Sequence, residues 1–304
     1  MKEWMEELLK AAGNSAVLED EPMSGHISFR VGGPADALVE AADEETVGNV
    51  LALCREKGIP CYVLGNGTNV LVKDEGYRGV ILKIGREMGH ISVTEEEDGS
   101  FLIRAGAGAL LSAIASRALE QSLAGMEFAA GIPGSLGGAV VMNAGAYGGE
   151  MKDILRSVRL LTPEGEIITR TPEELRMGYR YSIVPKMGYT VLSAEIRLQK
   201  GDPAEIKGKM DDLAKQRRDK QPLEYPSAGS TFKRPAGHFA GKLIQDAGLR
   251  GYTVGGAQVS EKHCGFVVNR GGASASDILQ VMADVQRLVE KTSGVLLEPE
   301  VRVL

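Results

Sequence analysis

Residues 131–149 read GIPGSLGGAVVMNAGAYGG, and seven of these nineteen residues are glycine. Each glycine loses extra conformational entropy on folding, so a merely structural loop rarely carries so many. A backbone with few side chains can instead lie against a large flat ligand, with its N–H and C=O groups facing the edge of a heterocycle. We therefore interpret residues 131–149, called the glycine segment below, as a ligand-binding element.

A shorter glycine turn lies upstream at residues 65–69, which read GNGTN. It follows a predicted apolar strand at 61–64. Its two glycines allow positive φ angles, so that successive N–H groups can converge on an anion. From these residues alone, an ordinary tight turn is an equally good interpretation, because the motif is neither a Walker A loop nor a Gly-x-Gly-x-x-Gly fingerprint. Together, the two glycine elements suggest one extended ligand with phosphates at one end and a ring at the other.

The composition is that of a soluble globular protein, with 43% apolar and 25% charged residues, which excludes disordered and collagen-like chains. The 304 residues predict two domains, or three small ones. The 41 acidic and 35 basic side chains give a net charge of -6, which argues against a nucleic-acid-binding protein. The 39 glycines contrast with only six Phe, eight Tyr and one Trp, so the chain is rich in backbone that can approach a ligand.

No apolar run approaches the roughly 18 residues that a membrane span needs. The N-terminal MKEWMEELLKAAG has neither the positive charge nor the apolar core of a signal peptide. We therefore expect a cytoplasmic protein that does not insert into membranes. The three cysteines form no Cys-x-x-Cys pair, which fits a reducing compartment, and with the four histidines they offer no zinc-binding spacing, so we expect no metal site.

The order of the predicted elements places domain boundaries near residues 87 and 200. Before the first boundary, short β runs flank a helix at 43–57 in a βαβ-like unit. Between the boundaries, predicted hairpins and a long strand at 190–198 accompany the glycine segment. After the second boundary, a charged helix at 202–220 precedes a long helix at 274–291 and a terminal strand at 295–303.

Together with residues 26–36, which read HISFRVGGPAD, the two glycine elements resemble UDP-N-acetylenolpyruvoylglucosamine reductase, the MurB flavoenzyme family of peptidoglycan precursor synthesis. The resemblance runs from about residue 22 to 304, and it is specific because all the motifs occur together and in order. It implies an α+β fold with an FAD-binding domain of the vanillyl-alcohol oxidase/PCMH type. Residues 1–87 and 88–200 would be its two α+β subdomains, and residues 201–304 an α+β substrate-binding domain.

The activity that this resemblance implies is reduction of the enolpyruvyl ether of UDP-N-acetylglucosamine to UDP-N-acetylmuramate. Non-covalently bound FAD would carry the hydride, and NADPH would be the reducing co-substrate. The family's longer form has an extra loop that places a tyrosine over the substrate. The interval between Arg180 and Ser230 is too short for that loop, so the chain is similar to the shorter form.

Three residues are candidates for catalysis. Arg180 lies in the stretch GYRYS, where the residues alone favour a surface arginine stacked on tyrosines. Ser230 lies in a loop without a Gly-x-Ser-x-Gly elbow, and Glu300 lies in the predicted terminal strand, where solvated charges are the plainer interpretation. The resemblance implies that Arg180 binds the substrate carboxylate, that Ser230 donates a proton and that Glu300 assists. A guanidinium suits the first role because it makes bidentate contacts to carboxylates and stays charged.

The resemblance also implies binding residues. For FAD they are Gly65, Asn66, Gly67, Thr68, Asn69, Gly131, Ile132, Pro133, Gly134, Ser135, Gly138 and Asn143. For the substrate they are Tyr179, Lys220, Lys233, Arg234, His263 and Arg302. Among these, Arg234 stands where the longer form has Asn, and a lone histidine such as His263 is more often structural, which is the interpretation that we favour.

Two other functions are compatible with the glycine elements. One is a flavin-dependent alcohol oxidase or dehydrogenase of the same superfamily. Such enzymes often attach FAD through His or Cys, and neither glycine element contains these residues. The other is a non-catalytic flavin- or nucleotide-binding protein, which would have no use for Arg180, Ser230 and Glu300 together.

Overall fold

The computed structural model describes residues 3–304. Met1 and Lys2, which begin both the predicted N-terminal helical stretch and the first predicted domain, lie outside the described residues. The α-helices of the described part are α1 Met5–Ala12, α2 Glu44–Glu56, α3 Leu111–Glu120, α4 Leu136–Met142, α5 Pro203–Lys220, α6 Ala240–Asp246 and α7 Ala275–Ser293.

The strands are β1 Ala16–Pro22, β2 Pro34–Ala41, β3 Cys61–Leu64, β4 Val70–Leu71, β5 Tyr77–Ile84, β6 Ile91–Glu95, β7 Phe101–Gly106, β8 Leu123–Ala124, β9 Gly145–Ala146, β10 Gly149–Glu150, β11 Leu155–Leu161, β12 Ile167–Arg170, β13 Thr190–Lys200, β14 Thr253–Val254, β15 Ala257–Val259, β16 Val267–Asn269 and β17 Arg302–Val303.

The chain forms two compact units, each built from separate stretches of sequence. Unit 1 contains the N-terminal segment through Glu19, together with Ala37–Asn66 and Gly79–Gln216. Unit 2 contains Asp20–Asp36, Gly67–Arg78 and Arg217–Leu304. The glycine segment and Arg180 therefore belong to unit 1, whereas Ser230 and Glu300 belong to unit 2.

Unit 1 carries two large sheets besides the two-stranded β9–β10 sheet. One has the order β1-β2-β5-β3, with β3 parallel to β5, and the other has the order β12-β11-β13-β7-β6, with β8 also paired to β13. The predicted helix at 43–57 is confirmed as α2. The Asp43 side chain caps its first turn by accepting a hydrogen bond from the Thr46 N–H at 2.7 Å. The apolar residues Val47, Val50 and Cys54, at helical spacing, are buried in the core of the unit.

The glycine segment is more regular than a loop. Its middle forms the helix α4, because Leu136, Ala139 and Val140 share one helical face and are all buried. After α4 the chain turns back on itself in the hairpin β9–β10, in which Ala146 pairs with Gly149. Tyr147 and Gly148 form the two-residue turn, and both have positive φ, as the favoured hairpin turn of this length requires.

Unit 2 contains the antiparallel sheet β14-β15-β16 and the helix α7. The predicted polar start of this helix is confirmed, since Ser274 and Asp277 form a reciprocal capping box. Asp74, from a different stretch of unit 2, accepts hydrogen bonds from the N–H groups of Ala275 at 2.7 Å and Ser276 at 2.9 Å. The first N–H groups of α7 therefore all find acceptors from side chains.

The predicted terminal strand at 295–303 is wrong in extent, because only β17 is a strand, paired in parallel with β4. Pro299 has no N–H to give to a ladder, so regular pairing cannot continue through it. Instead, an isolated bridge joins Pro299 to Phe232. Residues 298, 300 and 302 therefore do not lie on one face of a regular strand.

Two further features concern expectations from the sequence. No helix of residues 3–304 is long and apolar enough to cross a membrane. The thiols of Cys54 and Cys61 are hydrogen-bonded to each other, which lowers the pKa of Cys54 and, together with burial, raises that of Cys61. Both cysteines are free thiols.

Candidate active site

The two predicted cofactor elements meet within unit 1. Asn66 donates a hydrogen bond from Nδ2 to the backbone oxygen of Pro133 at 2.6 Å. Gly65 lies so close to Ser135 that an added Cβ would stand 2.4 Å from its Oγ. The start of the glycine turn thus packs against the residues that precede α4, and a side chain at position 65 would displace the Ser135 hydroxyl.

We call the packed residues 65–66 and 133–135 the cradle. The surroundings of Ser135 show whether the cradle suits a bound anion. Its side chain is buried, with 3% of the residue exposed, and its Oγ has no hydrogen-bond partner among residues 3–304. It is the residue before α4, yet its hydroxyl does not cap that helix. A buried hydroxyl without a partner costs free energy, so a polar ligand group that supplied the partner would bind favourably.

The remaining cofactor candidates of unit 1 differ in their surroundings. Gly131 and Gly134 precede α4 with Ile132 between them, and Gly138 is exposed within the helix. Asn143, by contrast, is fully buried, and its side chain is hydrogen-bonded inside the protein on both its nitrogen and its oxygen. Asn143 therefore supports the site from inside the protein and does not lie on its surface.

The turn that carries Arg180 joins Gly178 to Tyr181 through two backbone hydrogen bonds of 3.0 and 3.1 Å. Arg180 adopts a positive φ of 51°, which is rare for a residue with a long side chain. Its guanidinium lies 5.1 Å from the ring centroid of Tyr179, and its Nη2 donates to the backbone oxygen of Gly145 at 2.8 Å. Tyr179 itself is 49% exposed.

In unit 2 the structure brings Ser230 and Glu300 into neighbouring segments. The N–H of Glu300 donates to the backbone oxygen of Thr231 at 2.9 Å, next to Ser230. The Oγ1 of Thr231 in turn accepts a hydrogen bond from the N–H of Val267 at 2.9 Å. Ser230 is exposed and Glu300 half-buried, so both side chains are accessible while the backbone that carries them is fixed.

The second half of the glycine turn lies in unit 2 and reaches the same segment. Asn69 donates from Nδ2 to the backbone oxygen of Glu300 at 3.1 Å and accepts from the N–H of Arg302 at 3.0 Å. Gly67 has a φ of 64°, and an added Cβ would stand 2.1 Å from the backbone oxygen of His26. Thr68, between them, is half-buried. Asn69 thus anchors the Glu300 segment, a contact that the motif alone did not indicate.

The predicted substrate-binding residues of unit 2 lie in different environments. Lys233 forms an ion pair with Glu298, and Arg234 stacks on the exposed ring of Phe239 at 4.4 Å. Lys220, at the end of α5, and Arg302, in β17, are both exposed.

His263 has the surroundings of a structural histidine. Its Nδ1 accepts a hydrogen bond from the N–H of Gly265 at 3.0 Å, and its ring packs edge-on against Phe266. Burial lowers the pKa of His263, so the neutral ring that accepts this bond is favoured.

Comparison with known proteins identifies the family to which this chain belongs. Residues 35–171 match the family described as FAD binding domain, and residues 221–304 match the family described as UDP-N-acetylenolpyruvoylglucosamine reductase, C-terminal domain. The reductase of that name from Agathobacter rectalis is 55% identical over 95% of this chain and 94% of its own length. The chain belongs to the UDP-N-acetylenolpyruvoylglucosamine reductase family.

Two further members of the reductase family agree with this. The reductase from Lachnoclostridium phytofermentans is 53% identical over 99% of this chain and 96% of its own length. The crystal structure of the reductase (MurB) from Thermus caldophilus has a TM-score of 0.77 at 35% identity, covering 95% of this chain and 98% of that one. The predicted family, an α+β fold with an FAD-binding domain, and the FAD cofactor are confirmed. The protein is therefore an FAD-dependent oxidoreductase.

The residues of unit 1 fit such a cofactor. FAD brings a negatively charged pyrophosphate, and the cradle offers the Ser135 hydroxyl that lacks a partner, beside a glycine whose missing side chain leaves room. Sequence patterns did not indicate Glu150 or Thr231, which tie the candidate residues into place. The position of Glu150 directly after the last glycine of the glycine segment was the only local sign of its importance.

Proposed function

We propose that this protein catalyses the NADPH-dependent reduction of UDP-N-acetylglucosamine enolpyruvyl ether to UDP-N-acetylmuramate, a step in peptidoglycan precursor synthesis. The observation that carries the assignment of roles is the pairing of the Thr231 and Glu300 backbones, which sets Ser230 and Glu300 in adjacent segments of unit 2. Family membership supports the reaction, and the names of the relatives reported above give the enolpyruvyl sugar nucleotide as the substrate class.

The residues that would hold the cofactor are those of the unit 1 cradle, with Gly65, Asn66 and Ser135 at its centre. FAD, when bound, supplies the hydride transfer between NADPH and the substrate. The protein contributes binding, orientation and charge. This division of labour suits the cradle, in which Asn66 is exposed and the buried Ser135 hydroxyl lacks a partner among residues 3–304.

Arg180 would bind the carboxylate of the enolpyruvyl group. Hydride addition to the terminal carbon of the C=C bond drives electron density toward that carboxylate, so a fixed positive charge there stabilises the transition state more than the ground state. The guanidinium is held through its Nη2 and stacked on Tyr179, which limits the orientations it can take. The planar fork of a guanidinium suits a carboxylate.

Ser230 would then deliver a proton to the adjacent carbon, which completes the lactyl ether. Its exposed side chain is on a backbone fixed by Thr231. Glu300 would orient the reacting group or assist the proton transfer. The balance is complete, since one hydride and one proton add across the double bond.

The test separates the two half-reactions by stopped-flow absorbance of the flavin. We expect Ser230→Ala to be reduced by NADPH as fast as the wild-type holoenzyme, and to be reoxidised by the enolpyruvyl substrate about 10²–10⁴-fold more slowly, as is typical when a general acid is removed. Ser227→Ala, in the same loop, is the matched control and should retain both rates. Equal losses in both half-reactions would refute the role of Ser230.

The alternative of a flavin-dependent alcohol oxidase makes a different prediction in the same assay. Its reduced flavin would be reoxidised by dioxygen, and an alcohol rather than NADPH would reduce it. Anaerobic addition of NADPH followed by the enolpyruvyl ether therefore distinguishes the two. The relatives reported above are all named reductases, and nothing in the described residues favours the oxidase.

A further inference from the structure

Behind the Arg180 turn lies a network of polar side chains that the proposed reaction does not itself require. Asn143 donates from Nδ2 to Glu150 Oε2 at 2.8 Å and to the backbone oxygen of Gly178 at 2.9 Å. Its Oδ1 accepts from the N–H of Lys152 at 2.9 Å. The network thus joins the hairpin β9–β10, through Glu150, to the first residue of the turn that carries Arg180.

A second connection runs between the same two elements. Arg180 donates to the backbone oxygen of Gly145, and Gly145 is the cross-strand partner of Glu150 in β9–β10. The side-chain hydrogen bond from Lys152 lowers the pKa of Glu150, against the effect of burial, and the bond from Asn143 and the charge of Arg180 lower it further. Glu150 is therefore ionised at neutral pH and lies within the electrostatic reach of Arg180.

Both elements also hold residues in a backbone conformation that side chains disfavour. Asn143, Tyr147 and Arg180 have φ angles of 42°, 52° and 51°. Residues with a side chain rarely adopt this conformation, and such strain persists only where the surroundings fix it. The hydrogen bonds of Asn143 restrain the backbone of Asn143 itself and, through Gly178, the turn that carries Arg180.

We propose that Glu150 is a positioning residue for Arg180, acting through Asn143. The carboxylate of Glu150 orients the Asn143 amide so that its second N–H donates to the backbone oxygen of Gly178. This hydrogen bond fixes the turn that presents the guanidinium of Arg180. This inference rests on the proposed function, because it takes Arg180 to be the group that binds the substrate carboxylate. It also gives Asn143 a place in the site different from the cofactor contact expected from the sequence.

The test uses the holoenzyme and the two half-reactions described above. In Glu150→Ala we expect reduction by NADPH to stay within about two-fold of wild type, and reoxidation by the enolpyruvyl ether to slow by about 10–100-fold, since a displacement of about 1 Å at a reacting group can cost 10²-fold. Glu150→Gln keeps an oxygen that can accept from Asn143 and should recover most of the rate. Glu120→Ala removes an exposed glutamate of unit 1 that is paired with Arg117 and should leave both rates unchanged.

Two readouts separate positioning from a merely structural role. UDP-N-acetylmuramate carries the carboxylate that Arg180 would bind, whereas UDP-N-acetylglucosamine does not. Glu150→Ala should therefore weaken binding of the first by about ten-fold or more and leave binding of the second unchanged. In an Arg180→Met background, Glu150→Ala should cause no further loss, because residues that act as one unit are not additive.

If Glu150→Ala does not fold, Glu150→Asp takes its place, because it keeps the charge but is one methylene too short to hold Asn143 in the same position. Equal losses for both nucleotides, additive losses with Arg180→Met, or a Glu150→Gln variant as slow as Glu150→Ala would each overturn the inference while leaving the proposed function intact. A wild-type holoenzyme that the enolpyruvyl ether cannot reoxidise would overturn the proposed function and this inference with it.

Discussion

The hydroxyl of Thr231 fastens the backbone that carries Ser230 and Glu300, and its removal is expected to destabilise unit 2. Thr231 is fully buried, and Val267, whose N–H it accepts at 2.9 Å, is 2% exposed. Thr231→Val preserves the shape of the side chain and leaves that N–H without an acceptor. Because both residues are buried, we expect no water to replace the lost bond.

The magnitude follows from a single unpaired buried group. A buried donor left without a partner costs about 1–3 kcal/mol, and the change opens no cavity because the side-chain volume is conserved. The backbone bonds of Thr231 to Gly265 and Glu300 remain, so the expected loss does not exceed that of one donor. For a protein of this size, each kcal/mol corresponds to a fall in Tm of about 1.5–2 °C.

Urea unfolding followed by circular dichroism measures this loss as a shift of the midpoint at constant slope. Thr190→Val in unit 1 is the matched control. Thr190, at the start of β13, is 5% exposed, so Thr190→Val makes the same change at a second buried site. A Thr231→Val protein as stable as wild type, or one affected no more than Thr190→Val, would show that the hydroxyl does not fasten this segment.

Two further predictions concern binding and pH. Ser135→Ala should weaken FAD binding by about ten-fold or more, because hydrogen bonds to charged groups contribute about 1.5–3 kcal/mol, and should leave the urea midpoint of the flavin-free protein unchanged, since Ser135 Oγ has no partner within residues 3–304; an unchanged Kd in flavin titrations would count against the cradle. The second rests on Asp284, whose pKa is lowered to about 2 by hydrogen bonds from Arg287, Gln280 and Tyr252. Because the folded-state pKa lies below the ordinary value of 3.8, the stability that Asp284 contributes is present above about pH 4 and is lost as the pH falls toward 2. The difference in urea midpoint between wild type and Asp284→Asn should therefore shrink between pH 5 and pH 2, and a constant difference would contradict this origin of the pKa.

Local patterns in the sequence were sufficient for the family and for several elements. The glycine segment, the turn at residues 65–69 and residues 26–36 predicted the reductase family, which the comparisons confirm. The capped helices α2 and α7 were predictable because a cap and the 3.6-residue spacing of apolar side chains lie within one short stretch.

Local patterns failed where the deciding partner is distant in sequence. The predicted terminal strand reduces to β17, because Pro299 cannot join a ladder and Phe232, far upstream, pairs with it instead. Glycine is unfavourable in a helix interior, yet within residues 131–149 the buried face of α4 imposes a helix. In both places, tertiary packing outweighs the local preference.

What the sequence alone determined is which chemical groups the protein carries and the family to which it belongs. Only the tertiary structure decided what those groups contact: that Ser135 has a buried hydroxyl without a partner, that Asn143 grips Glu150 and Gly178, and that Thr231 fastens the backbone of Glu300. The physical reason is that a hydrogen bond depends on the distance and direction between two groups. When those groups come from segments brought together by folding, no local spacing in the sequence encodes that geometry.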